Sequence, residues 1–314
     1  MKKLRVIICV AIYAVMTVLC VGGVYAEGVD SSLTFGPTAQ RISLKPGESY
    51  RSSVIVSNPA TSESDLKFML YVTPYSVANE EYDPVFGEVG TYTQIADWIV
   101  LDKTEGILKP NDNMEIGFTI KVPEDAPAGG QYAAIVAQNI TGLDGESGGG
   151  VQISSIGAVA SVVVADVAGQ TREYGEIFEN NVPSFVMSAP FVASAGVKNT
   201  GNVHTDAKSV LQVWPLFSDE EIYTNEESED NTQLILPDTT RYFLNTWEDV
   251  PAVGIFRVRQ TVTIFGETAV NEKIIVVCPL WLLFIVIFLI ALLLIWFVTA
   301  IVKKVRKGKD NKKS

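Results

Sequence analysis

Polar and apolar residues alternate at period two along most of this chain. Ile116, Phe118, Ile120 and Val122 alternate with Glu115, Gly117, Thr119 and Lys121; Leu66, Phe68, Leu70 and Val72 form another set, and the pairs Ile42/Leu44 and Val54/Val56 follow the same rule. Each set places one face of a strand on a core and the other in water. Turn-forming clusters separate the sets: Lys45-Pro46-Gly47-Glu48, Ser57-Asn58-Pro59, Lys109-Pro110-Asn111-Asp112 and Pro123 to Gly130. The pattern predicts strands near 40–44, 50–57, 66–73, 98–101, 115–122, 131–140 and 151–166, with the Gly-rich run Asp144–Gly150 as a long hairpin loop. Short strands at this spacing predict an immunoglobulin-like sandwich over residues 32–167. A second set follows at Phe191–Lys198, Ala207–Trp214, Thr232–Leu236, Arg241–Trp247, Gly254–Phe265 and from Glu267 onward, with Asn199-Thr200-Gly201-Asn202 as a turn. It predicts a second β-sandwich over 168–273. No segment between residues 27 and 273 carries the pattern of a long amphipathic helix.

Two stretches replace alternation with continuous apolarity. Val6 to Val24 follows Lys2, Lys3 and Arg5 and ends in Val24-Tyr25-Ala26, which reads as a signal peptide over residues 1–26. The alternative is an uncleaved anchor helix. A lipoprotein site at Cys20 is excluded because Leu19, and not a small residue, precedes it. The second stretch, Ile274–Val302, holds no charge; Pro279 marks a helix start, so residues 279–302 read as a transmembrane helix with Trp281 and Trp296 near its two interfaces. The basic tail 303–314 then stays in the cytoplasm. The expected fold is an all-β exterior of two tandem immunoglobulin-like β-sandwiches, followed by one transmembrane helix. The pattern Leu236-Pro237-Asp238-Thr239-Thr240 approaches a sortase motif but has Thr in place of Gly and lies too far from the span; it reads as a turn before a strand.

Charge sharpens this picture. The chain has a formal net charge of −12, yet residues 27–302 hold 14 of the 24 Lys+Arg and 35 of the 36 Asp+Glu, a net of −21. Such an exterior excludes nucleic-acid binding, which needs clustered cations against phosphate. Two of the three cysteines, Cys9 and Cys20, leave with the signal peptide and Cys278 lies at the membrane edge, so the exterior has no internal disulfide although it is exported. That suits the plasma membrane of a bacterium, with a single pass and the N-terminal domains outside.

Candidate chemistry is sparse. The single histidine, His204, follows a Gly-Asn turn and has no nucleophile elbow beside it, so a turn or packing role is expected. One His and three Cys leave no zinc set and no cofactor is expected. The acids Asp219-Glu220-Glu221 and Glu226-Glu227-Ser228-Glu229-Asp230 lack the spacing of a calcium loop and read as a solvated hairpin. Glu80, Glu81 and Asp83 lie in a loop with Tyr75, Tyr82, Phe86 and Tyr92 nearby, as paired carboxylates of a glycosidase would, but spacing alone does not place two of them across one bond. The sequon at Asn139 is assigned no role. The most aromatic part of the exterior, Tyr71 to Trp98, supplies a candidate ligand surface of Tyr75, Tyr82, Phe86, Tyr92 and Trp98, with burial of Trp98 and some tyrosines in the sandwich as the competing reading.

Several segments resemble one family. Ile42-Ser43-Leu44-Lys45-Pro46-Gly47-Glu48, Val54-Ile55-Val56-Ser57-Asn58, Asp97-Trp98-Ile99, and Leu108-Lys109-Pro110 with Val122-Pro123-Glu124-Asp125-Ala126-Pro127-Ala128-Gly129-Gly130-Gln131-Tyr132-Ala133-Ala134-Ile135 are similar to the first domain of bacterial WxL-interacting proteins. Lys198-Asn199-Thr200-Gly201-Asn202-Val203-His204 resembles the start of that family's second domain. The resemblance implies a peptidoglycan-binding first domain, a host- or partner-binding second domain, and association with a WxL-domain protein at the cell surface. The functional expectation is therefore a non-enzymatic, membrane-anchored surface binding or scaffold protein. An assembly chaperone or accessory subunit for a surface polymer is the alternative, and a carbohydrate-active enzyme a third.

Overall fold

A computed structural model describes residues 33–78, 81–141 and 157–310. The expected signal peptide, the Gly-rich loop, Glu80 and the last four residues of the tail lie outside the described residues.

The first half is a sandwich of two sheets. Its strands are β1 (Thr34–Gly36), β2 (Ala39–Leu44), β3 (Ser49–Ser57), β4 (Leu66–Ala78), β5 (Asp83–Phe86), β6 (Ile99–Leu101), β7 (Glu105–Leu108), β8 (Asn113–Lys121), β9 (Gly129–Asn139) and β10 (Ala158–Val167). One sheet has the order β1-β3-β8-β6 and the other β2-β10-β9-β4-β5, with β7 also on β4. The alternating sets meet between them: Val54, Val56, Phe68, Phe118, Ile120 and Ile135 are fully buried in one core. Burial of each such side chain contributes about 1.5–3 kcal/mol. The segment before Leu44 splits into two strands because it changes sheets, β1 pairing antiparallel with β3 and β2 parallel with β10. Strand β4 runs to Ala78 and pairs on one side with β7 and then β5, neither of which alternation had marked.

The second half is a sandwich of β11 (Gly175–Asn181), β12 (Phe185–Val186), β13 (Phe191–Asn199), β14 (Thr205–Pro215), β15 (Tyr223–Thr224), β16 (Thr232–Ile235), β17 (Thr240–Trp247), β18 (Gly254–Ile264) and β19 (Glu267–Val277). Its sheets have the orders β11-β13-β17 and β12-β19-β18-β14-β15, with β16 also on β14. Two apolar clusters fill it, one around Phe191, Leu211, Trp247 and Val258, the other around Val197, Phe243 and Val262. The acidic segment 219–231 is the hairpin region expected; its short 3₁₀ turn Glu229–Asn231 is capped by the Ser228 hydroxyl, which accepts from the Asp230 amide at 3.3 Å. The chain then enters helix α1 (Leu280–Asp310). Its apolar part, Leu280–Ile301, has 22 residues and none of it is buried against the protein. At 1.5 Å per residue it is about 33 Å long, enough for a hydrocarbon core of about 30 Å.

Strand β9 departs from alternation. Ala133, Ile135 and Ala137 face the first core, yet Tyr132, Ala134 and Val136 on the opposite face are buried too. A strand apolar on both faces needs a layer on each side. The second layer over Tyr132 comes from the second sandwich.

Candidate functional site

The candidate aromatic residues separate into three environments. Trp98 is 9% exposed and packs in the first core beside Ile95 and Ile99, at the end of the turn Gln94–Asp97. Phe86 lies on β5 and stays exposed, its ring 5.8 Å from that of Tyr75. Tyr75, Tyr82 and Tyr92 gather with Tyr132, Val164 and Leu236 into an apolar cluster that joins the two sandwiches. The ligand surface proposed from sequence is thus largely the seat of the second domain.

The geometry of that seat starts with the turn Leu236-Pro237-Asp238-Thr239, where Asp238 has a left-handed backbone at φ 59°. Tyr82, left-handed as well at φ 65°, is aimed into it. The Leu236 amide donates to the Tyr82 hydroxyl at 2.8 Å. The Tyr82 hydroxyl in turn meets the Thr239 hydroxyl, which donates to the Leu236 carbonyl at 2.7 Å. These bonds form a closed ring around one turn, so the hydroxyl of Tyr82 satisfies a backbone donor that the domain contact has removed from water. The Arg241 guanidinium stacks 4.1 Å above the Tyr82 ring, and its Nη1 donates to the Leu234 carbonyl at 2.9 Å. Tyr92 donates to the Asp238 carboxylate at 3.0 Å.

A second set of contacts explains two of the glycines. The Asn202 carbonyl accepts from the Gly130 amide at 2.8 Å, and the Asn202 side chain donates to the Ala128 carbonyl at 3.0 Å while accepting from the Arg172 amide at 2.6 Å. Gly129 has φ +111°, and a Cβ there would stand 2.2 Å from the Asn202 carbonyl oxygen. A Cβ at Gly130 would strike the Tyr132 hydroxyl. The Pro-Gly-rich segment before β9 and the Asn-Thr-Gly-Asn turn after β13, read separately as turns, are therefore two halves of one contact. Arg41 on β2 closes the far side with a paired bond to Asp206 at 2.6 and 2.7 Å.

His204 sits within this contact, its Nδ1 3.3 Å from the Tyr132 hydroxyl and its ring edge-on to the tyrosine. Burial pulls the imidazole below its usual range, opposed mainly by the Asp166 carboxylate. Burial pushes Asp166 up, with His204 opposing. Burial likewise raises the phenols of Tyr82 and Tyr132 and lowers Arg241. The hydrogen bond from Arg41 holds Asp206 below the usual carboxylate range. Tyrosines and a histidine withdrawn from water thus face a paired Arg–Asp rim, an arrangement that holds the two sandwiches together. Sequence spacing could not have found Tyr132, His204, Asn202 and Asp238 as one site. The signal it did carry was the apolar run on both faces of β9.

A cleft of about 210 Å³ opens beside the cluster, lined by Tyr75, Val77, Val89, Tyr92, Leu236 and Pro237 among others. Of the acids weighed for catalysis, Glu81 is exposed in the turn before β5 and Asp83 is the first residue of that strand. Among the described residues no group of three or more His, Cys, Asp or Glu is placed to hold a metal ion.

No protein-family model matches this chain, and no curated protein matches it in sequence. Solved structures similar to it include a chaperone–tip adhesin complex of CFA/I fimbriae biogenesis (14% identity, 77% of this chain and 98% of that chain, TM-score 0.39). The E. coli chaperone DraB is similar over 77% of this chain and 96% of its own (12% identity, TM-score 0.36). The Salmonella enterica SafA pilin complex with the SafB chaperone matches over 78% and 96% (13% identity, TM-score 0.34). Among the described residues the chain has two immunoglobulin-like β-sandwiches and one long apolar helix, as its own strand order shows.

Proposed function

We propose that this chain is a non-enzymatic surface protein of a bacterium, anchored in the plasma membrane by α1, that holds a protein partner on the outer face of the β11-β13-β17 sheet. The observation that carries this reading is an apolar stripe on the side of that sheet facing away from the core. Val192 on β13 and Leu244 on β17 are exposed there, Leu244 at 70%, and Phe178 on β11 stands edge-on to Tyr242 with ring centres 5.5 Å apart. Gly196 lies beneath Phe178, where a Cβ would be 2.4 Å from the ring, so the glycine lets the aromatic ring settle on the sheet. A sheet that already buries one face has no folding need for a second apolar one, and contiguous exposed apolar residues with aromatics mark protein contacts. The net charge of −21 across residues 27–302 supports a protein or neutral-glycan partner over an anionic wall polymer.

A WxL-domain protein is the partner implied by the family resemblance, and peptidoglycan the ligand it implies for the first sandwich. The alternative, an assembly chaperone or accessory subunit for a surface polymer, is favoured by the docked pair of domains: two sandwiches held at a fixed angle give a client two surfaces at once. The full chain in nanodiscs, incubated with purified cell wall and a surface-protein extract, tests the reading. Retention of a surface protein that Leu244→Asp loses supports it, and retention of neither wall nor protein overturns it. A partner that degrades in cells lacking this chain favours the chaperone reading.

A further inference from the structure

The end of the second sandwich nearest α1 carries an exposed apolar rim. Strand β19 ends at Val277, and only Cys278 and Pro279 separate it from the helix. Strand pairing persists up to that point: the Cys278 amide donates to the Val186 carbonyl at 2.9 Å, and Val277 lies opposite Gly254. The neighbours of β19 therefore end at the same level. Strand β12 runs parallel to its last two residues, β18 starts beside it, and β14 finishes against β18, with the Leu216 amide donating to the Ile255 carbonyl at 3.0 Å. Each contributes exposed apolar side chains: Phe185 and Met187 from β12 and beyond, Phe217 after β14, and Val253 and Ile255 at the start of β18. Phe217 is 96% exposed, so the protein itself gives its ring no cover.

Resting on the anchored reading above, we propose that this rim lies in the lipid interface and that Phe217 inserts at the boundary between headgroups and acyl chains. Two extended residues reach about 7 Å, and the polar interface on each side of a bilayer is about 5–7 Å thick, so the sheet end stands at headgroup depth wherever α1 begins to span. Residues 184–187, 216–218 and 250–255 contain no Lys or Arg, and Asp219, Glu220, Glu221, Glu248 and Asp249 flank them. The contact is thus driven by apolar burial and needs no anionic lipid. Its consequence is a restricted tilt: the sandwiches stand on the membrane at a set angle, and the stripe on β11-β13-β17 faces sideways.

The test places a nitroxide at Phe217→Cys in the full chain, with its other cysteines changed to Ser, reconstituted in phosphatidylcholine nanodiscs. Parallel labels at Val253→Cys, Ile107→Cys and Ile290→Cys read the rim, the first sandwich and the helix. The expected result is collision with oxygen exceeding collision with a water-soluble nickel chelate at 217, 253 and 290, the reverse at 107, and no change on raising salt. Water-like accessibility at 217 and 253 with a lipid-like label at 290 overturns the rim contact and leaves the anchor standing. A water-like label at 290 overturns the anchor and the rim contact together. Protection from both collision partners at 217 marks a protein contact there and overturns the proposal.

Discussion

Replacing Tyr82 by Phe tests the joint between the sandwiches with a single oxygen atom. The substitution keeps the ring, its stacking under Arg241 and its packing against Leu236. It removes the hydroxyl that accepts from the Leu236 amide at 2.8 Å and engages the Thr239 hydroxyl. Leu236 is 4% exposed, so its N–H is left in the contact without a partner and with little access to water. An orphaned buried donor costs about 1–3 kcal/mol. A midpoint of about 2 kcal/mol corresponds to about a 30-fold shift in the equilibrium between docked and undocked domains. Amide hydrogen exchange followed at Gly130, whose N–H donates to the Asn202 carbonyl across the same contact and keeps that acceptor in the variant, reads the equilibrium. Exchange at Gly130 is expected to accelerate about 30-fold, with amides around Phe118 in the first core unchanged. Exchange within twofold of the wild-type rate would mean that the hydroxyl is not holding the contact, and equal acceleration in both places that the whole fold had been weakened; either outcome overturns the role given to Tyr82.

Further outcomes follow from the same contacts. Gly129→Ala meets both a positive φ and the Asn202 carbonyl, so it should cost more than about 1 kcal/mol and expose the 168–174 connection to protease, read by limited proteolysis against wild type. Trp98→Ala should lower stability by about 3–5 kcal/mol in thermal unfolding, as expected of a core residue; an unchanged midpoint with lost ligand binding would return Trp98 to a surface role. His204 is the single histidine, so one imidazole resonance reports it. Its folded pKa is lowered, so the folded state binds fewer protons than the unfolded state just below the ordinary value of 6.5. Stability should therefore be full above that value and fall as pH drops from it toward the folded midpoint, and a midpoint at or above 6.5 contradicts the burial.

Much of the fold was legible because alternation is a local property. Strands β3, β8, β14 and β18 follow directly from it, and Leu236–Thr240 reads as a turn from Pro and Asp alone. Strands β5, β7, β12 and β15 were not legible, because two to four residues carry too few periods. Strand β11 was hidden by its own composition: its two apolar residues, Ile177 and Phe178, are adjacent and flanked by Glu176 and Glu179, and a register shift between Ile177 and Glu179 breaks the period. The candidate surface at 71–98 was found as a cluster, but its place against the second sandwich was not. Tyr92 meets Asp238 and Tyr82 meets Thr239 across more than 140 residues of chain. Aromatic residues near one another in sequence look alike whether they await a ligand or a second domain. The informative departure was in β9, where Tyr132 to Val136 fails to alternate in a strand expected to show water one face.

In the proposed reading the partner sits on the outer face of the second sandwich, while the tyrosines at 75, 82 and 92 serve the joint. A photo-crosslinking residue placed at Leu244 in the full chain, activated on living cells, tests it most directly, with a second probe at Phe86. A discrete protein adduct is expected from position 244 and none from position 86. An adduct from 86 with none from 244 would contradict it, returning the binding surface to the aromatic segment of the first sandwich.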